Sequence, residues 1–186
     1  NIEFVFKKKN DIIRDKKLPF GQKIELDNPI VFSNWIQRYQ NNMIVLGLTG
    51  SIGMGKTSAA RQFRSCGIPV YDADKTVHFL LREHQQVRFL IESEFPDVLT
   101  NGKIDRRLLG NKVFNNQEPL QKLEGILHPR ITEYKAKFLR NNLIKRKRLV
   151  VLDIPLLYEK GGELECDGVI VVSAPKFVQD HRVLKR

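Results

Sequence analysis

Gly50-Ser51-Ile52-Gly53-Met54-Gly55-Lys56-Thr57 is the stretch whose residue types and spacing point most directly to chemistry. It matches G-x-x-x-x-G-K-[ST], the pattern of a loop that cradles phosphate. Glycines let backbone N–H groups come close to an anion, and a helix that starts directly after the loop adds unpaired N–H groups and a positive dipole end. Lys56 would reach the β- and γ-phosphates of a nucleoside triphosphate such as ATP, and the Thr57 hydroxyl would ligate Mg2+. The plainer alternative is a flexible glycine turn that carries a surface lysine.

Three carboxylates and two arginines extend the constellation. Asp72 and Asp74 follow the apolar run Ile68 to Tyr71, and Asp153 closes the run Leu149 to Leu152. In open α/β sheets ligands bind outside the carboxyl ends of the strands. Carboxylates there can orient or deprotonate an attacking hydroxyl, and one of them can stand close to a metal. Each is also an ordinary cap for the helix or turn that follows. Asp153 is therefore a second candidate for the metal, after Thr57. Arg182 and Arg186 lie one helical turn apart, so both can face one ligand and stabilise transferring charge, or both can be solvated. His128, before Pro129, and the basic run Lys145 to Arg148 are weaker candidates, read first as a local backbone contact and a solvated helix end.

These residues need elements to position them. Ile44 to Leu48 is a short continuous apolar run, as a buried parallel strand requires. A helix is expected from Lys56 to Cys66, stopped by Gly67, then a strand over 68–71. A helical stretch from about Lys75 to Glu94 is expected to break near His84. Thr100 to Lys103 reads as a tight turn, and Leu108–Phe114, Pro119–Leu127 and Ile131–Ile144 as helices. Strands over 149–153 and 169–172 and a last helix from Pro175 to Arg186 complete the pattern. Strands alternating with helices predict an α/β fold with a mostly parallel sheet flanked by helices.

Residues 1–42 read differently. They are rich in Lys, Asn, Asp and Ile, hold at most one short helix over 30–40, and show no chemical constellation. The functional domain is expected to begin at Met43, which makes 1–42 an N-terminal extension of unknown role.

Composition narrows the class. The 186 residues are 41% hydrophobic and 28% charged, which excludes a wholly disordered chain. No apolar run approaches the ~20 residues that span a bilayer, and no apolar core follows Lys7 to Lys9 as a secretory signal would need. Two cysteines a hundred residues apart suggest neither a zinc site nor a disulfide scaffold, so a reducing cytoplasm is the expected location. Thirty-two Lys and Arg against twenty-one Asp and Glu give a net charge of +11, which favours polyanionic partners. No recognisable nucleic-acid-binding motif accompanies that charge.

Together the motifs resemble the dephospho-coenzyme A kinase family. Met43 to Thr57 is similar to the family's opening, and Gly67 to Asp74 to its strand and Asp-Ala-Asp signature. Leu127-His128-Pro129 resembles its Leu-His-Pro element, and Asp153 to Glu159 its Pro-Leu-Leu-Phe-Glu block, with Tyr158 for Phe. The resemblance implies an adenylate-kinase-like, P-loop NTPase fold over 43–186, with a helical part that binds dephospho-coenzyme A over about 76–147. It implies ATP and dephospho-coenzyme A as substrates, Mg2+ as cofactor, and Gly50, Ser51, Ile52, Gly53, Met54, Gly55, Lys56 and Thr57 around the ATP phosphates. Asp74, with Asp72 beside it, would activate the ribose 3′-hydroxyl; Arg182 would bind ATP and Arg186 stabilise charge. Family members continue past the position of Arg186 through the rest of a lid and a further strand, so the resemblance also implies that the C-terminal lid and last strand are missing here. The rival readings are another small-metabolite kinase, an inactive truncated remnant, and a basic nucleic-acid-binding protein.

Overall fold

The computed structural model describes residues 43–114, 116–159 and 161–185. The extension 1–42 and Arg186 lie outside the described residues. Two compact units divide them: residues 43–72 with 138–185, and residues 73–137.

The first unit is built on a four-stranded parallel sheet. Strands β1 (Ile44–Thr49), β2 (Val70–Asp72), β5 (Leu149–Asp153) and β6 (Gly168–Val171) lie in the order β2-β5-β1-β6. Neighbours that are far apart in sequence require crossover connections, as parallel pairing demands. Leu48, Val151, Ile170 and Val172 from the strands bury against Ala59 and Ala60 of helix α1 (Lys56–Ser65), with Phe63 and Ile68 at the margin. Small alanines on the inner face let α1 approach the sheet closely. Gly67, at φ 73°, ends α1: its N–H reaches the Arg64 carbonyl and the Ile68 N–H reaches the Phe63 carbonyl. That is a glycine-terminated helix stop of the kind expected from the sequence.

The second unit is helical. It contains α2 (Ala73–Glu83), α3 (Gln85–Glu94), the two-residue strands β3 (Leu99–Thr100) and β4 (Lys103–Ile104), α4 (Arg106–Val113) and most of α5 (Gln117–Ile144). The remaining described helices are a 3₁₀ turn, Gly162–Glu165, and α6, Lys176–Leu184, both in the first unit. Leu80, Leu81, Val87, Ile91, Phe95, Val98, Leu109, Leu123 and Leu127 form the second unit's core. The expected break near His84 is present, and His84 itself makes it: its Nδ1 accepts from the Val87 N–H at 3.3 Å and caps α3.

One expectation is corrected. The two helices expected either side of His128-Pro129 are a single 28-residue helix, α5, with Pro129 inside. The lost N–H would have paired with the carbonyl of Gly125 four residues back. Leu123 and Leu127 before the proline are buried, and Ile131 and Tyr134 after it pack on the same core. Burial on both sides outweighs the local break. The basic run after α5 ends that helix. Arg146 stands at φ 52°, its N–H on the Leu143 carbonyl, and the Lys147 N–H reaches the Asn142 carbonyl.

Candidate active site

The loop 50–55 connects β1 to α1, at the carboxyl edge of the parallel sheet. Gly53 and Gly55 stand at φ 77° and 100°, where a side chain would be strained, so the loop's path depends on glycine at both. Gly50 is needed for a different reason: a Cβ there would stand 2.7 Å from the Val172 carbonyl oxygen of the neighbouring strand segment. No side chain caps α1, whose N-cap is Gly55. The Ser58 N–H bonds the Gly55 carbonyl at 2.9 Å, so the N–H groups of Lys56 and Thr57 are the ones left for an anion, with the helix dipole behind them.

Lys56 and Asp153 meet across adjacent strand ends. Lys56 Nζ lies 2.6 Å from Asp153 Oδ1, with the carboxylate 6% and the lysine 18% exposed. Burial pushes the Asp153 carboxyl above its usual range, and the Lys56 ammonium, by hydrogen bond and charge, opposes that shift. Asp72 adds to the upward push, because it sits beside Asp153 in the β2–β5 register. Arg64, on the last turn of α1, reaches Asp72 at 3.3 Å. Two carboxylates at neighbouring strand ends therefore stand between two cations from one helix. Arg64 carries no motif signal; only its distance of eight residues from Asp72, one turn and a strand, hints that they meet.

The other sequence candidates are placed as follows. Thr57 is exposed in the first turn of α1. Asp74 is exposed in the first turn of α2, in the helical unit. Ser51 and Ile52 are exposed on the loop, and Met54 Sδ accepts from the Ala174 N–H at 3.1 Å. Arg182 Nη1 donates to the Gly53 carbonyl at 3.1 Å, so this arginine rests on the loop itself. Gln179, one turn earlier on α6, donates to the Ile52 carbonyl at 2.9 Å. Sequence reasoning passed over Gln179 because an uncharged side chain on a basic helix carries no signal of its own. Leu156, three residues past Asp153, holds φ 54° while 58% exposed, an uncommon conformation for a bulky side chain and one that concentrates at functional turns.

Among the described residues no group of three or more His, Cys, Asp or Glu could by itself hold a metal ion. Thr57 and Asp153 offer hard oxygen donors of the type Mg2+ takes, and that ion is ordinarily held by one or two side chains together with substrate phosphates. The donor set fits a cation that arrives with a nucleotide.

A family model described as "Dephospho-CoA kinase" matches residues 44–186. The chain belongs to the dephospho-CoA kinase family. The family is one of ATP-dependent kinases whose known function is the final step of coenzyme A biosynthesis. Dephospho-CoA kinases from Paramagnetospirillum magneticum and Rhodospirillum rubrum are 49% and 50% identical to it over 144 and 145 residues. Those matches cover 77% of this chain and 68% of each relative. Among solved structures, TT1252 from Thermus thermophilus is similar with a TM-score of 0.68 and 36% identity, over 77% of this chain and 72% of that one. A dephospho-CoA kinase from Campylobacter jejuni matches with a TM-score of 0.54 over 77% of this chain and 95% of that one. At 20% identity the last likeness shows the fold alone. A dephospho-CoA kinase family member thus has its glycine-rich loop and its paired strand-end carboxylates on the α/β frame that the sequence pattern implied.

Proposed function

We propose that this chain binds MgATP on residues 50–57 and transfers the γ-phosphoryl group to the ribose 3′-hydroxyl of dephospho-CoA. The observation that carries the reading is the Lys56–Asp153 pair at 2.6 Å behind an uncapped helix N-terminus. It presents a cation and a set of N–H groups where a triphosphate would lie, and the family membership supplies the acceptor. Lys56 would leave Asp153 for the β- and γ-phosphates. Asp153, relieved of its counter-ion, and the Thr57 hydroxyl would hold the nucleotide's Mg2+, which neutralises phosphate charge. Asp74, assisted by Asp72, would take the proton of the 3′-hydroxyl as its oxygen bonds to the γ-phosphorus and the bond to the β-phosphate oxygen breaks, releasing ADP. Arg64 would keep Asp72 aimed. Arg182 would move from the Gly53 carbonyl to the phosphates, and Arg186 would stabilise the transferring charge. Little covalent chemistry falls to the protein; positioning and electrostatics supply the rate.

The helical unit, with the part expected over 76–147, would hold dephospho-CoA. The cytoplasm would be the site of action; in support, the two cysteines form no disulfide, as a reducing compartment would have it.

ADP release from MgATP with dephospho-CoA as acceptor tests the reading. Acceptor-dependent turnover is expected, and nucleosides, nucleotides or shikimate in its place should give none. Asp74→Asn should lower kcat by roughly 10²-fold, the size of a positioned acid/base contribution, without weakening ATP binding. If Asp74→Asn and Asp72→Asn both turn over normally, the two are helix caps and the assigned base is wrong.

A further inference from the structure

The segment after β6 holds the phosphate loop at three successive residues. The Ala174 N–H donates to Met54 Sδ, Gln179 Nε2 to the Ile52 carbonyl, and Arg182 Nη1 to the Gly53 carbonyl, at 3.1, 2.9 and 3.1 Å. The packing is equally close. A Cβ at Gly53 would stand 3.0 Å from Val183 Cγ2 and 3.1 Å from both Gln179 Cγ and the Gln179 carbonyl oxygen. Gln179 and Arg182, three residues apart, form one face of α6, and that face lies on the loop.

A peptide group is planar and trans, so its C=O and N–H point in opposite directions. Tying the Ile52 carbonyl to α6 therefore aims the Gly53 N–H away from α6. Gly53 has no Cβ, and at φ 77° its own backbone would otherwise be among the freest in the loop. The loop binds phosphate by presenting N–H groups, so the direction of this peptide is part of the site. Arg182 cannot hold the loop in all states, because a guanidinium is drawn to any phosphate that arrives beside it. A neutral carboxamide is not.

We propose that Gln179 is a positioning residue for nucleotide binding: it holds the Ile52–Gly53 peptide so that the loop is set before ATP arrives and stays set when Arg182 moves to the phosphates. This rests on the reading of 50–57 as a nucleotide site. Gln179 touches no substrate itself.

The test compares Gln179→Met, Gln179→Glu and Gln179→Lys with the parent chain. Met keeps the side-chain length and the packing on Gly53 but has no donor. Glu keeps the shape and turns the donor into an acceptor. Lys keeps a donor. MgATP affinity is measured by titration, and loop amide exchange by hydrogen–deuterium exchange without ligand. Met and Glu are expected to weaken MgATP binding roughly fivefold to tenfold, the size of one hydrogen bond. They are also expected to speed exchange at Gly53 to Gly55 while affinity for dephospho-CoA is kept. Lys is expected to restore most of both. If Gln179→Met binds MgATP and exchanges like the parent, only packing matters and the proposal fails. If Met and Lys lose affinity for both substrates equally, the effect is on folding and the proposal fails. If Gln179→Met does not fold, the ligand-free exchange rates of the Glu and Lys variants decide, because their opposite charges would shift MgATP affinity by themselves: fast exchange in Glu and parent-like exchange in Lys support the proposal, and parent-like exchange in both overturns it. A parent chain that binds no MgATP would sink the nucleotide reading, while the exchange rates of the variants still judge the clasp separately.

Discussion

At the scale of single residues, the site holds its charges in pairs. Asp153 is nearly buried, and its carboxyl is pushed up by that burial against the pull of Lys56. A buried pair of this kind is a poor source of stability, because desolvation offsets attraction, yet removing one partner is costly. Lys56→Met is therefore expected to do two things. It should abolish ATP-dependent turnover, because the cation proposed for the β- and γ-phosphates is gone. It should also destabilise the ligand-free fold in a pH-dependent way. Without Lys56 the Asp153 folded-state pKa rises further above its unfolded value of 3.8. A carboxyl raised on folding favours the protonated folded state, so the penalty grows as pH climbs from the unfolded value through the folded one and is constant above it. Thermal melts should show the variant's deficit in Tm largest at neutral pH and shrinking toward pH 4. A deficit that widens in acid would mean that Lys56 stabilises through something other than Asp153.

At the scale of elements, the local signals that carry a mechanism were legible. Gly67 predicted where α1 stops, His84 where α2 gives way to α3, and the strand–glycine loop–helix order where the phosphate loop sits. What escaped notice lacked such a signal or was overruled by burial. Pro129 reads as a break, but the apolar residues on either side share one core, and that contact is not visible in a window of sequence. Arg64 and Gln179 carry no such signal, because their partners, a strand end eight residues on and a loop carbonyl far back in the chain, are ordinary in type. The apolar pattern predicts α4 from Leu108, whereas the helix begins two residues earlier, at Arg106, because Asp105 caps it. Asp105 Oδ1 accepts from the N–H groups of Arg107 and Leu108, at 2.8 and 3.2 Å. The Leu108 bond, then the Arg107 bond, hold the Asp105 carboxyl below its ordinary 3.8. A carboxyl lowered on folding adds stability that is present above the unfolded value and is lost as pH falls through the folded one. Asp105→Ala should lower Tm at neutral pH, and Asp105→Asn, which still accepts, should lower it less. The gap between the parent and the Asn variant should shrink as pH falls from about 3.8 and be gone below the lowered folded value; a gap that does not shrink over that range would mean the charge is not what the helix start uses.

At the scale of the whole molecule, the net charge of +11 is unevenly shared. Residues 43–72 and 138–186 carry thirteen Lys and Arg against seven Asp and Glu, whereas residues 73–137 carry eleven against nine. The nucleotide unit is thus strongly basic and the helical unit nearly balanced, although both proposed substrates are polyanions. Long-range attraction between exposed charges is screened within a Debye length of about 8 Å at physiological salt. Binding that depends on such attraction weakens as salt rises, and binding through desolvated contacts weakens less. The apparent KM for ATP is therefore expected to climb several-fold between about 50 and 500 mM KCl, and more steeply than the KM for dephospho-CoA. The Tm should move little over the same range, because the exposed ion pairs found here are worth little to stability. Steady-state kinetics at fixed pH and fixed Mg2+, with each substrate varied in turn, reads both slopes. Equal slopes would mean that the acceptor's phosphates are held by the basic unit or by residues 1–42 rather than by the helical unit, and would move the proposed acceptor site out of 73–137.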